Sequence, residues 1–249
     1  MSEDVKMSFW DHLDEFRNRL FIILGAVFLG AIIGYYYSEN IIQFLLLPSD
    51  KFKVSFQVIT ITSMFVVKLA VSFFTGLVIG FPVLIYNLIS FIGPAFQSDD
   101  YREKAVDITG LFKLELLVLF SFIFFLSGIF FGYYVIIPFL LTFFTSIVFN
   151  DVSVVYNFTL GSYLNYTVWT LFLNGLIFQM PIIAFIGSKI GILTPEFLQH
   201  YRRHSIIFFL ILSALITPPD PLSQILICVP FIVLYELSII VSKIFKNKK

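Results

Sequence analysis

The ionisable chemistry of this chain gathers in residues 7–20, MSFWDHLDEFRNRL, just ahead of its first long apolar run. Asp11, His12, Asp14, Glu15, Arg17 and Arg19 fall there. The spacings Asp14/Arg17 and Glu15/Arg19 are those at which helical side chains meet and can form ion pairs. Phe9, Leu13, Phe16 and Leu20 recur at helical intervals and make one apolar stripe, while Ser8 with Asp11 three positions on resembles a capping box. The stretch reads as a short amphipathic helix lying along a membrane surface with its charges in water. Taken alone it is an interfacial anchor and a topology signal.

Other reactive side chains are few. His12, His200 and His204 all lie outside the apolar runs, in segments read as facing the inner side, so no serine and histidine can meet inside a bilayer as a membrane protease would need. HExxH, Walker, Rossmann and kinase patterns are absent. The single Cys228 excludes an intrachain disulfide and a cysteine metal cluster. The expectation is a protein that is not an enzyme and uses no metal and no cofactor. Polar residues within apolar runs are individually informative. Gln179, in IFQMPI, and Glu236, in VLYELS, are open to a structural reading, as a hydrogen bond within the helix bundle or a reach to the interface, and to a functional one. Glu115 opens an apolar run and reads as interfacial. Asp220 and Gln224 belong to LITPPDPLSQ, a tight turn stiffened by Pro218, Pro219 and Pro221, with Asp220 placed to accept bonds from the start of the next helix.

The elements that must position these residues are membrane helices. The 249 residues are 59% hydrophobic and 13% charged, with a mean hydropathy of +0.94, against about a quarter charged in an average globular domain. The formal net charge is zero and no basic stretch lies away from the membrane flanks, which argues against a nucleic-acid partner. No cleavable signal peptide is read at the start. Apolar runs at 20–37, 69–92, 111–137, 163–192, 206–216 and 225–241 predict an all-α polytopic membrane protein with six spans. The first four match the roughly 20 residues that a 30 Å hydrocarbon core requires. The last two are short, the sixth being interrupted by Glu236, and a re-entrant hairpin is the alternative reading of that pair. Pro82, Pro138, Pro181 and Pro230 favour kinks that would splay the helices into a concave, glove-like body. Pro48 stiffens the first long loop.

Lysine and arginine set the orientation. Lys6, Arg17 and Arg19, then Arg102, Lys104 and Lys113, then Lys189, Arg202 and Arg203, and finally Lys243, Lys246, Lys248 and Lys249 fall on one side, against Lys51, Lys53 and Lys68 on the other. Both termini are therefore expected in the cytoplasm, with 38–68 and 139–162 outside. No internal repeat is evident, and charges lining a path are scarce. Both points weigh against the main competing reading, a small-solute or ion-coupled transporter.

Three stretches resemble the TatC family, the polytopic core of the twin-arginine protein translocase. They are His12-Leu13 followed by Glu15, Phe16 and Arg17; FPVLIYNLISFIGPAF, with Pro82, Tyr86, Phe91 and Pro94; and ITPPDPLSQ followed by PFIVLYELSI. The resemblance covers nearly the whole chain. It implies six spans with both termini inside and a receptor that binds the paired arginines of folded cargo's signal peptides on the cytoplasmic face. The expected carboxylates are Glu15 and one from the first inner loop, where Asp100 matches by ungapped counting and Glu103 is the alternative; Leu13, Arg17 and Phe91 complete that site. Guanidinium and carboxylate make planar, charge-assisted bonds that lysine cannot copy. Single-span partners of the TatA and TatB kind are expected on spans four to six, with Gln179 and Glu236 as candidate polar contacts, together with self-association in a receptor complex. Many relatives carry Glu where Gln179 stands, so a titratable group is missing here. The location implied is a bacterial inner membrane, an organelle membrane being the alternative. Arg17 and Arg19 have two candidate roles, orienting span one and holding the carboxylates until a cargo peptide displaces them.

Overall fold

The computed structural model describes residues 9–52, 54–95, 114–146, 157–216 and 221–245. The expected surface helix over 7–20 is not a separate element. Helix α1, Phe9–Tyr36, runs unbroken through the charged stretch and the first apolar run, because neither Gly nor Pro stands at the junction to break it. Ser8 and its capping role lie outside the described residues.

After α1 come α2 (Ser38–Leu46) and a 3₁₀ turn (Leu47–Phe52) in which Pro48 is buried. Strand β1 (Ser55–Gln57) and helix α3 (Ser63–Ala95) follow. Helix α1 packs along α3 through small residues. A Cβ on Gly76 would lie 2.4 Å from the Val27 carbonyl oxygen, and one on Gly34 would lie 2.7 Å from Thr75 Cβ. Gly30 on α1 meets Gly76 on α3, while Gly34 faces Ser72 and Thr75 and Gly80 faces Val27. In lipid, where burying apolar surface gains little, such close backbone approach is the main source of helix association.

The third apolar run forms α4 (Leu114–Phe131), a π-helical turn (Gly132–Ile136) and α5 (Ile137–Ser146). The π turn ends two residues before Pro138, whose missing N–H and bulky ring disfavour a regular helical turn there. Strand β2 (Asn157–Thr159) pairs in parallel with β1, Phe56 opposite Phe158. The fourth run is two helices, α6 (Leu160–Ile177) and α7 (Met180–Ile190), parted at Phe178–Gln179. Pro181 cannot bond the Ile177 carbonyl, so the break is where its chemistry requires. Pro82 and Pro230, by contrast, sit within continuous helices.

A short α8 (Pro195–His200) is capped by Thr194, whose hydroxyl accepts from the Phe197 N–H. Helices α9 (Arg202–Ile216) and α10 (Pro221–Phe245) complete the described chain. Among the described residues, five stretches are long and apolar enough to cross a membrane: Leu13–Tyr36, Ser63–Phe91, Leu114–Ser146, Leu160–Lys189 and Ile227–Phe245. Helix α9, with 15 residues, reaches only about 22 Å at 1.5 Å per residue. The expectation that the last two helices are both short is corrected: α10 has 25 residues and passes through Glu236 without interruption.

Among the described residues, two buried clusters hold the bundle. One joins α6 and α7 to α9 and α10 around Ile177, Phe209, Ile227, Phe231 and Tyr235. The other joins α2 and α3 to α5 and α6 around Leu45, Val71, Ile137 and Leu164. The second is stitched at its rim, where Tyr133 and Tyr163 donate to the carbonyls of Phe44 and Leu45 at 2.6 and 3.3 Å. The Phe44 carbonyl, which also accepts from the Leu47 N–H, thus takes two bonds where α2 ends.

Candidate functional site

The Glu15 site is assembled by α1 and the far end of α3. Arg19 lies one turn after Glu15, and its Nε and Nη2 donate to Glu15 Oε1 at 2.9 and 2.7 Å. The two side chains keep 23% and 24% of their surface exposed, so the pair is reachable from water but partly shielded from it. From the neighbouring helix, Asn87 Oδ1 lies 3.5 Å from Arg19 Nη1. Asn87 is 5% exposed, and its Nδ2 donates to the Val83 carbonyl at 2.8 Å. Phe16 and Phe91 meet with ring centroids 5.6 Å apart, giving the polar group an aromatic flank.

The structure thus brings Glu15, Arg19 and Phe91 together. Leu13 lies exposed on the same helix. Arg17 is elsewhere on the helix, paired with Asp14 at 3.1 Å, both well exposed. Asp100, Glu103, Pro218 and Asp220 lie outside the described residues. Pro94 falls in the last turn of α3.

Gln179 and Glu236 are engaged within the chain. Gln179, 5% exposed, accepts from Ser121 Oγ at 2.5 Å and donates from Nε2 to the Ser121 carbonyl at 3.1 Å, tying the α6–α7 break to α4. This is the bundle hydrogen bond of the structural reading. Glu236 accepts from Arg202 Nη2 at 2.7 Å, the pair being 46% and 44% exposed, which joins the start of α9 to α10. Gln224 donates to the Leu210 carbonyl at 2.6 Å and holds the other ends of the same two helices.

Asn87 went unrecognised in the sequence although it lies within FPVLIYNLISFIGPAF. The signal was the one that flagged Gln179: a lone amide in an apolar run must find a partner. Among the described residues, no group of three or more His, Cys, Asp or Glu side chains could hold a metal ion.

These features define a class: a polytopic helical membrane protein with partly exposed ion pairs on its helices. The family model described as Sec-independent protein translocase protein (TatC) matches residues 11–230. The chain is 31% identical over 238 residues to the Sec-independent protein translocase protein TatCy of Bacillus subtilis, covering 96% of this chain and 89% of that one. It is 29% identical to the TatC of Aquifex aeolicus, covering 98% of each. Among solved structures it is similar to a crystal structure of the twin arginine translocase receptor TatC, with a TM-score of 0.80 at 28% identity, covering 94% of this chain and 99% of that one. The chain belongs to the TatC family. It is a multi-pass membrane protein of a protein translocase, not a catalytic enzyme, and a component that works with other Tat subunits.

Proposed function

We propose that this chain is the core receptor and scaffold of a twin-arginine translocation system, taking the arginines of a cargo signal peptide at Glu15 and at Asp100 or Glu103. The observation that carries the reading is that Glu15 already holds a guanidinium through two charge-assisted bonds, at a position open to water. A carboxylate so placed suits the planar fork of a second arginine. The similarity to a solved twin arginine translocase receptor supports the same chemistry.

Orientation supports it too. Arg17, Arg19, Lys189, Arg202, Arg203 and Lys243 fall towards ends of helices that a six-pass arrangement would put on the Glu15 side, and such an excess favours the cytoplasmic face. Six passes, with the short α9 as the fifth, put both termini there. Single-span subunits of the TatA and TatB kind would pack against α6, α7, α9 and α10, and copies of the chain would associate in the receptor complex. A bacterial inner membrane is the proposed location, with the transmembrane potential or proton gradient as the energy source.

The test is photocross-linking of a twin-arginine signal peptide to the chain in membranes. A Glu15→Ala, Asp100→Ala, Glu103→Ala variant is expected to lose the cross-link; undiminished cross-linking would remove the proposed site.

A further inference from the structure

We infer that Arg19 is a resident guanidinium which the cargo arginine must exchange out of the Glu15 site, and that Asn87 is the positioning residue that receives it. The inference rests on the signal-peptide reading above. It starts from the geometry of the fork: two of Arg19's donor nitrogens, Nε and Nη2, are spent on Glu15 Oε1, while the third, Nη1, faces Asn87 Oδ1 at 3.5 Å. That distance is at the long limit for a hydrogen bond, so the contact has room to tighten when the guanidinium turns away from Glu15.

Exchange needs such a receiver. A guanidinium has five N–H donors and no acceptor, and leaving a partly shielded charge without a partner is far costlier than moving it between partners. Asn87 is suited to the task because it is nearly buried and its amide is anchored through Nδ2 to Val83 O. Its carbonyl oxygen has two lone pairs to offer. Arg19 and Glu15 are one turn apart on the same helix, so parting them disturbs no packing between helices. Arg17 differs in its setting: it pairs with the exposed Asp14 on its own helix and is itself well exposed.

Exchange makes the site selective. An incoming arginine replaces the fork it removes, whereas a lysine offers a point charge and recovers only part of what is lost. The discrimination between arginine and lysine is then set by the resident Arg19 as well as by Glu15.

The experiment measures the affinity of a synthetic peptide with paired arginines and an apolar segment, and of its lysine counterpart, for the full chain in lipid nanodiscs. Arg19→Gln is expected to tighten the arginine peptide by about two- to fivefold, the scale of a partly exposed pair, and to narrow its advantage over the lysine peptide. Asn87→Leu is expected to weaken it by a similar factor, Asn87→Ser to do the same, and neither to change affinity once Arg19→Gln is present, because Asn87 acts through Arg19. Weaker binding by Arg19→Gln, or an Asn87 effect that persists in the double variant, would overturn the inference. Failure of the receptor reading itself looks different: a Glu15→Gln variant would then bind the peptide as well as the unmodified chain.

Discussion

Two ion pairs have the same 2.7 Å closest approach, Glu15–Arg19 and Glu236–Arg202, yet the fold uses them differently. The first lies within one helix, is about one-quarter exposed and is backed by an amide from α3. The second bridges two helices, is nearly half exposed, and ties the short α9 to α10. Distance does not separate them; connectivity and surroundings do. A pair confined to one helix can open without moving a helix, as the proposed exchange at Glu15 requires. A pair between helices is part of the bundle, and its opening is felt as looser packing.

The largest test of this contrast attacks what positions the first pair. Gly76→Leu would drive a side chain into the Val27 carbonyl and force α1 from α3. Overpacking of this kind costs about 1–3 kcal/mol. A lower midpoint of thermal unfolding in detergent and loss of peptide binding are expected together; retained binding would mean that α3 does not position Glu15. Next in size is Gln179→Leu, which strands the Ser121 hydroxyl, with an expected loss of about 0.6–1.7 kcal/mol, the range for polar contacts between membrane helices. Peptide affinity should be unchanged. Arg202→Gln should cost at most about 1 kcal/mol, since both partners are well exposed, and should likewise spare binding. A change in peptide affinity there would erase the distinction between the two pairs.

Smallest is a pH effect at the opposite end of the bundle. The hydrogen bond from Lys68, and then its charge, hold the Glu39 carboxyl below its ordinary value of 4.5. A carboxyl depressed in the folded state contributes stability above its unfolded value and loses it as pH falls through the folded one. A slight drop in melting temperature is therefore expected on acidification below about 4.5, absent in Glu39→Gln. Peptide binding titrated over the same range should not follow it.

Much of this was legible before the structure. Hydropathy located the helices, the spacings gave the Asp14–Arg17 and Glu15–Arg19 pairs, and Pro181 marked the break at Gln179. What local pattern could not reveal was long-range. Periodicity assigns a face to residues 7–20 but does not say whether the helix turns at Leu20, and α1 continues because nothing breaks it. Glu236 read as an interruption of a span because its partner, Arg202, is 34 positions away in sequence. The lone amide of Asn87 signals that it needs a partner, but not that Arg19, 68 positions away on another helix, lies beside it. Glycines pack α1 on α3, and no pattern of charge or hydropathy reports how closely two backbones approach.

The Glu15 carboxylate is proposed as a ligand for cargo arginine, while the equally short Glu236 pair belongs to the bundle. Equilibrium binding of a twin-arginine signal peptide to Glu15→Gln and Glu236→Gln chains in nanodiscs tests it directly. At least a tenfold loss is expected for Glu15→Gln, the scale of a hydrogen bond to a charged group at about 1.5–3 kcal/mol, and unchanged affinity for Glu236→Gln. Equal losses in both, or a loss confined to Glu236→Gln, would contradict it.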